Sequence, residues 1–423
     1  MENAAMNIHF LEQIIERFCA RQASIPVVLG SGGLGLIQSL GEKGVRGIVM
    51  DDGPSSVRDF SRYCRRITVA DISAAWDRLC EALRMVSSLA LKHSGNRPII
   101  FPTSDYILHC LAGRYDELKS LAAIAAPSHE VILLTLDKAS FYQWLLDHDF
   151  PCPRTVFPSC GGEDALDVGN ISFPCIVKPA LTFMLEQAAG RKLYVAADRS
   201  ELVRCCRDLS ERNMEYVIQE IVPGRDEDQF SLAGYCRKGG EIAGYVMTNK
   251  LRQSYYGAGT FVAGSDVPGL YETGVKLLRE LDYHGIFEIE FRRDARDGTY
   301  RIIELNPRCW SQIILATRMN VNVAYCAYRD LSGLECRGEM AGPSGAKKYW
   351  VNFERDLGHL KRKFRENDYT LGGLVSVMLS IPSIEPFSLR DPKPGLCYLK
   401  RKITRRLAKG VSAPGRLAGR PHS

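Results

Sequence analysis

Four oxygen-bearing side chains sit at alternate positions in two nearby segments: Glu288 and Glu290 in Ile286-Phe287-Glu288-Ile289-Glu290-Phe291, and Glu304 and Asn306 in Arg301-Ile302-Ile303-Glu304-Leu305-Asn306-Pro307-Arg308. The connection RRDARDGTY carries an Asp-Gly turn, so the two segments read as strands of one hairpin. Side chains alternate across a strand, which puts Glu288 with Glu290 on one face and Glu304 with Asn306 on one face of the partner. Where those faces coincide, three carboxylates and an amide oxygen converge. Burying like charges together is costly unless cations neutralise them, and an all-oxygen donor set suits Mg²⁺ or Mn²⁺. The bland alternative is an exposed acidic hairpin paired with the neighbouring arginines. The apolar residues between the acids argue against it. Arg308, just past them, is positioned to meet an anion.

Two lysines come next. Lys178 ends the apolar strand PCIVKPA, and Lys138 heads a helix after LLTLD. A lone strand-end lysine is usually a snorkelling surface residue, but two of them upstream of an acidic metal hairpin suggest phosphate ligands. Between Lys178 and the hairpin lies Tyr216-Val217-Ile218-Gln219-Glu220-Ile221-Val222-Pro223-Gly224, followed by Arg225-Asp226-Glu227-Asp228. A strand running into a turn of this kind can offer backbone groups to the edge of an adenine, with an acid beyond for ribose hydroxyls. As an isolated pattern it equally describes an ordinary loop.

A rival signal sits near the start. Gly30-Ser31-Gly32-Gly33-Leu34-Gly35 fits the dinucleotide fingerprint, with Asp51 and Asp52 about twenty residues on. The same turn also serves simply to pack a first helix against a sheet. Because the second half of the chain offers lysines and carboxylates rather than a hydride-transfer site, the loop is read as structural or substrate-facing.

The elements that must position these groups follow from periodicity. IPVVLG, GIVMDD, RPIIFPTSDY and VILLT near Val131 read as buried strands, with helices at LIQSLGEKG and from Ala74 to Leu91. This makes residues 1–125 a doubly wound α/β unit. DKASFYQWLLDHDF reads as a helix, after which strands dominate, with helices from Ser200 to Leu209 and Tyr271 to Leu281. The expected division is an N-terminal α/β domain at 1–125, one lobe at 126–210, a second lobe with the metal hairpin at 211–330, and a C-terminal extension at 331–423. The fold class is α/β plus α+β.

The bulk properties narrow the function. The chain has 423 residues, 45% hydrophobic and 25% charged, an ordinary globular composition. The net charge of +6 does not indicate a nucleic-acid surface. Its surplus lies mostly between Lys400 and Arg420, including Arg401, Lys402, Arg405, Arg406, Lys409 and Arg416. That tail reads first as a solvated, frayed terminus, and second as a weak peripheral contact with anionic lipid headgroups. The 14 cysteines are scattered without any C-x-x-C, which suggests reduced thiols and no zinc. The first residues carry acids among apolar side chains and do not resemble a signal peptide, and no apolar run is long enough to span a bilayer. A cytoplasmic protein is expected. A homo-oligomer is left open.

The ordered set Leu136-Asp137-Lys138, Ile176-Val177-Lys178-Pro179, Gln219-Glu220-Ile221-Val222-Pro223-Gly224, Glu290 and Glu304-Leu305-Asn306-Pro307-Arg308 resembles the ATP-grasp superfamily, over about residues 20–325. Within it, Phe101-Pro102-Thr103-Ser104-Asp105, Ser61-Arg62-Tyr63 and Lys250-Leu251-Arg252-Gln253 look most like a group of carboxylate–amine ligases related to D-aspartate ligase. The resemblance implies an ATP-grasp fold preceded by a doubly wound domain, with ATP and Mg²⁺ (or Mn²⁺) as cofactors and small-molecule carboxylate and amine substrates.

It also implies roles. Lys138 and Lys178 would hold the phosphates, Gln219, Glu220, Ile221 and Val222 the adenine, and Asp226 or Asp228 the ribose. Glu290, Glu304 and Asn306 would hold the metals, Arg308 would stabilise the transferring phosphoryl group, and Lys250 and Arg252 would receive the substrate carboxylate. Glu288 gets no role. One departure is the segment after Lys178, Ala180 to Lys192, which has a single glycine where many relatives carry a glycine-rich lid, although Arg191 or Lys192 could substitute as cations. The rivals are a dinucleotide-dependent oxidoreductase built on Gly30–Gly35 and an ATP-binding module without turnover.

Overall fold

The structure, a computed structural model, describes residues 8–51, 53–69, 76–158, 171–253, 257–335, 348–358 and 383–411. It is organised by three sheets. The first is parallel, in the order β3-β2-β1-β4-β5, with β1 at Pro26–Leu29, β2 at Gly47–Asp51, β3 at Cys64–Thr68, β4 at Ile99–Pro102 and β5 at Ala123–Ile124. β1 and β4 are buried throughout, as continuous apolar strands in a sheet covered on both faces must be. The helices α1 (Ile8–Cys19), α2 (Leu34–Gly41), α3 (Trp76–Ser94), α4 (Asp105–Ala112) and α5 (Tyr115–Leu121) accompany it.

The strand expected at VILLT is instead the helix α6, His129–Leu136, capped by Ser128 accepting from the Val131 N–H. A short apolar run does not distinguish a buried strand from a buried helix, and here the serine cap decides it. The helix α7 follows at Lys138–Asp147, capped by Asp137.

The second sheet has the order β6-β9-β7-β8, with β6 at Thr155–Val156, β7 at Cys175–Pro179, β8 at Tyr194–Ala196 and β9 at Tyr216–Glu220. The helices α8 (Thr182–Ala189) and α9 (Arg199–Glu211) cover it. Its small core of Ile171, Cys175, Val177, Leu185, Leu202, Leu209 and Ile218 is separate from the others. The boundary expected at 210 lies in the last turn of α9, and β9 beyond it pairs with β7 along its whole length.

The third sheet is β14-β13-β10-β11-β12-β15-β16, antiparallel except for its last pair. β10 is Gln229–Cys236, β11 Ile242–Gln253, β12 Gly259–Ser265, β13 Gly285–Arg293, β14 Tyr300–Asn306, β15 Tyr349–Asn352 and β16 Ser383–Glu385. The helices α10 (Leu270–Glu280), α11 (Ile313–Arg318), α12 (Val323–Leu331) and α13 (Pro392–Val411) complete the described chain. One core joins this sheet to the first: Val28, Val49 and Phe101 pack in the same cluster as Val246, Ile314, Val323 and Trp350. The Tyr328 hydroxyl also accepts from the Ser24 N–H at 3.0 Å. Residues 400–411, expected to be frayed, are helical in α13, whereas Arg416 and Arg420 lie outside the described residues.

Candidate active site

A cavity of about 980 Å³ opens where the three sheets meet. Its chemistry begins with the hairpin. β13 and β14 pair with Glu288 opposite Asn306 and Glu290 opposite Glu304, so the four side chains do share a face, and all four line the cavity.

Each acid has a partner. Lys138, buried at the start of α7, donates to Glu304 Oε1 at 2.5 Å. Lys250, buried on β11, donates to Glu290 Oε2 at 2.7 Å, where Gln229 Nε2 also donates at 2.7 Å. Burial works against the charges of Lys138 and Glu304, yet each overcomes it through the other. The ammonium is held above its ordinary value, and the carboxyl is pulled down to about 2.

Glu288 behaves differently. Burial, then the neighbouring Glu290 carboxylate, raise it to about 7. Its oxygens accept from Gln312 Nε2 at 2.9 Å and from Asn306 Nδ2 at 3.3 Å. Asn306 thus turns Oδ1 to Arg308, whose Nη2 donates to it at 3.2 Å. Arg308 is also paired through Nε with Asp105, at the start of α4. Neither the Asp105 pairing nor a role for Glu288 was readable from the sequence, since each depends on contacts between distant elements.

Lys178 enters from the other side, at the end of β7. It donates to Gln219 Oε1 at 2.7 Å and lies 3.4 Å from the Tyr142 hydroxyl. Burial and the nearby Lys138 ammonium push it down to about 8. The side chain of Gln219 therefore orients this lysine, with its amide Nε2 donating to Thr155 Oγ1. Glu220 likewise fastens the linker: it accepts from the Arg154 N–H and from Arg296, both at 2.9 Å. What Gln219, Glu220, Ile221 and Val222 bring to the cavity wall is their place along its edge. Asp226 also lines the cavity. Asp228 is instead spent on the Arg225 N–H at 2.7 Å, which closes the turn.

Lys250 faces the cavity and Arg252 does not. An irregularity in the β11–β12 register between them separates their surroundings. Arg252 is buried in a two-pronged pair with Asp356, Nε to Oδ1 at 2.9 Å and Nη2 to Oδ2 at 2.6 Å, over the Phe261 ring. The structure therefore places Arg252, expected to receive a substrate carboxylate, outside the cavity lining and against a carboxylate of the chain itself.

The glycine-poor segment after Lys178 is α8. Phe183 on it packs against Tyr106 and His109 of α4, with ring centroids at 5.8 and 5.3 Å, so the segment bridges the cavity to the first sheet's helices. Lys192 lines the cavity, whereas Arg191 stacks over Tyr194.

In the loop Gly30–Gly35, residues Gly30, Ser31 and Gly32 line the cavity, and the carbonyls are held by Arg58. The buried Arg58 donates Nη1 to the carbonyls of Gly30 and Gly32 and pairs through Nη2 with Asp51 at 2.6 Å. Gly33, with φ of 96°, caps α2 in the left-handed region that favours glycine. The loop's carbonyls and Asp51 thus serve an internal cation. Asp52 lies outside the described residues.

The donor chemistry fits a hard divalent cation: partly buried carboxylates, oxygen only, on adjacent strands. The close convergence of three carboxylates expected from the sequence is not found: among the described residues no three His, Cys, Asp or Glu side chains come together closely enough to hold an ion by themselves. No helix among the described residues is long and apolar enough to cross a membrane, and the described cysteines are free thiols.

No family model matches the chain. A D-aspartate ligase from Enterococcus faecium is 21% identical over 320 residues, covering 71% of this chain and 75% of that protein. Among solved structures, N5-carboxyaminoimidazole synthetase from Staphylococcus aureus complexed with ADP aligns with a TM-score of 0.60 and 14% identity, covering 82% of this chain and 87% of that one. Biotin carboxylase from Campylobacter jejuni aligns with a TM-score of 0.59 and 15% identity, covering 77% and 74%. The chain has the ATP-grasp fold, in agreement with the fold class read from its sequence.

Proposed function

We propose that this ATP-grasp chain is an ATP-dependent, ADP-forming ligase that activates a carboxylate as an acyl phosphate and joins it to an amine. The observation that carries the reading is the register of β13 and β14. It opposes Glu290 and Glu304 in one cavity wall, each held by a buried lysine, with Lys178 entering from the other sheet.

A carboxylate is a poor acyl donor because oxide is a poor leaving group. Attack of a carboxylate oxygen on the γ-phosphorus of ATP forms the acyl–phosphate bond and releases ADP. Attack of the amine on the acyl carbon then forms the amide, releases inorganic phosphate and frees a proton. In this scheme Lys138 and Lys178 hold phosphate oxygens, and Arg308 is aimed at the transferring group by Asp105 and Asn306. Gln219 to Val222 edge the adenine, and Asp226 takes the ribose. Glu290, Glu304 and Asn306 are the residues that would hold Mg²⁺ or Mn²⁺, which when bound neutralises phosphate charge. Lys250 stands near Glu290 to receive a substrate anion. No side-chain nucleophile is required.

The D-aspartate ligase likeness supports a small carboxylic acid and an amine as partners. ADP release screened across paired carboxylates and amines tests the proposal. Release that needs both substrates is expected, and none with any pair would overturn it. The dinucleotide reading would need Asp51 for a ribose, and that carboxylate is paired with Arg58 at 2.6 Å. A melting-point shift with NADH but not with Mg-ATP would restore it.

A further inference from the structure

The helix α13 buries one face and, among the described residues, leaves another unpartnered. Its inner face is fixed: Tyr398 packs edge-on against Phe353 and Phe387, and a Cβ on Gly395 would come within 2.6 Å of the Phe387 ring. Lys402 pairs with Glu354, and the Arg401 guanidinium lies 5.5 Å from the centre of the Phe60 ring. This seat fixes which side faces outward.

On that outward side stand Leu396, Leu399 and Ile403, which are 63%, 44% and 59% exposed. Residues three and four apart share a helix face, so they form one stripe, and Leu389, fully exposed, precedes it by seven residues. Exposed Lys393 and Lys400 flank the stripe, and exposed Arg405 lies beyond it. The sequence from Pro392 to Val411 contains no acid.

We infer that α13 lies on the surface of an anionic lipid bilayer, with Leu396, Leu399 and Ile403 in the headgroup boundary and the flanking lysines on anionic headgroups. Apolar side chains at helical spacing, rimmed by cations, match the chemistry of such an interface. A second copy of the helix fits poorly, because pairing two acid-free basic helices sets like charges against each other.

The test uses the full chain in sedimentation with vesicles of phosphatidylcholine, with or without abundant phosphatidylglycerol. Binding is expected on the anionic vesicles, at least roughly tenfold above the neutral ones. It should be weakened both by the triple variant Leu396→Ser, Leu399→Ser, Ile403→Ser and by the double variant Lys393→Glu, Lys400→Glu. These side chains are exposed, and unchanged melting points for both variants establish that each folds. Equal binding to neutral vesicles, no binding to either, or binding that survives the triple variant would overturn the inference. So would a dimer, formed without lipid, that the triple variant dissolves.

Discussion

The Lys138 ammonium and the Glu304 carboxylate, 166 residues apart in sequence, meet at 2.5 Å and tie the first residue of α7 to β14. Removing one partner strands the other charge out of water. Glu304→Gln is expected to lower stability by about 2 kcal/mol, the low side for a buried pair because Glu304 keeps some contact with the cavity. It should also cut Mg-ATP turnover by roughly a thousandfold. Adding Lys138→Met should recover much of the melting temperature and none of the turnover. Unchanged turnover in Glu304→Gln would remove the phosphate and metal assignment.

Lys178 is held at about 8, against an ordinary value of 10.5. Below pH 8 it is charged in both folded and unfolded chains, so its full cost falls on the folded state. Between pH 8 and 10.5 the unfolded chain binds more protons at this site, and the cost is relieved as pH rises. Lys178→Met should therefore raise stability near neutral pH by about 2 kcal/mol while abolishing ATP binding. Melting curves at pH 7 and titration with a non-hydrolysable ATP analogue check both halves, and a less stable variant would contradict the first.

The same lysine must be an ammonium to meet phosphate. Affinity of the free protein for the ATP analogue is expected to fall as pH rises past about 8. Lys178→Arg, whose guanidinium stays protonated, should flatten that fall even where it weakens binding overall.

Asp105 is paired with Arg308 and in the proposed reaction would position it. Asp105→Asn should lower kcat by roughly tenfold to a hundredfold, with little change in the KM for ATP, if Arg308 serves the transferring group more than the bound nucleotide. A change confined to KM would assign Arg308 to ground-state binding.

Phe183 fastens α8 onto α4. Phe183→Ala removes aromatic contacts worth about 1 kcal/mol and should let water reach the phosphorylated intermediate. The expected sign is ADP release without the amine, several-fold above that of the parent chain. An unaltered ratio of coupled to uncoupled release would mean that the contact has no part in closure.

The acidic hairpin was legible because strand alternation and a two-residue turn signal are local rules, and Glu290, Glu304 and Asn306 followed from them. Lys138 and Lys178 were legible by position, although their partners were not. What escaped was set by distant contacts: Glu288 bonded to Gln312, Arg308 aimed by Asp105, and Arg252 consumed by Asp356 on a segment 104 residues away. VILLT was misread because a five-residue apolar run fits a helix and a strand equally well. In the glycine loop, nothing in the sequence pointed to Arg58, 26 residues beyond Gly32, whose guanidinium takes the loop's carbonyls while Gly30, Ser31 and Gly32 keep a place in the cavity wall.

Because Val28 and Phe101 share one packed interior with Ile314 and Trp350, while Ile171, Val177 and Leu202 keep an interior of their own, the two walls of the crevice differ in freedom. A hinge through the shared interior would tear close-packed side chains apart. The smaller unit is tied to its neighbours by fewer contacts: Val217 in the interior of Phe141 and Phe287, Phe183 on α4, and Glu220 with Arg296. The strands that carry the acids thus rest on the large interiors, whereas Lys178 and Gln219 stand on a sheet held by its own small interior and by these few ties.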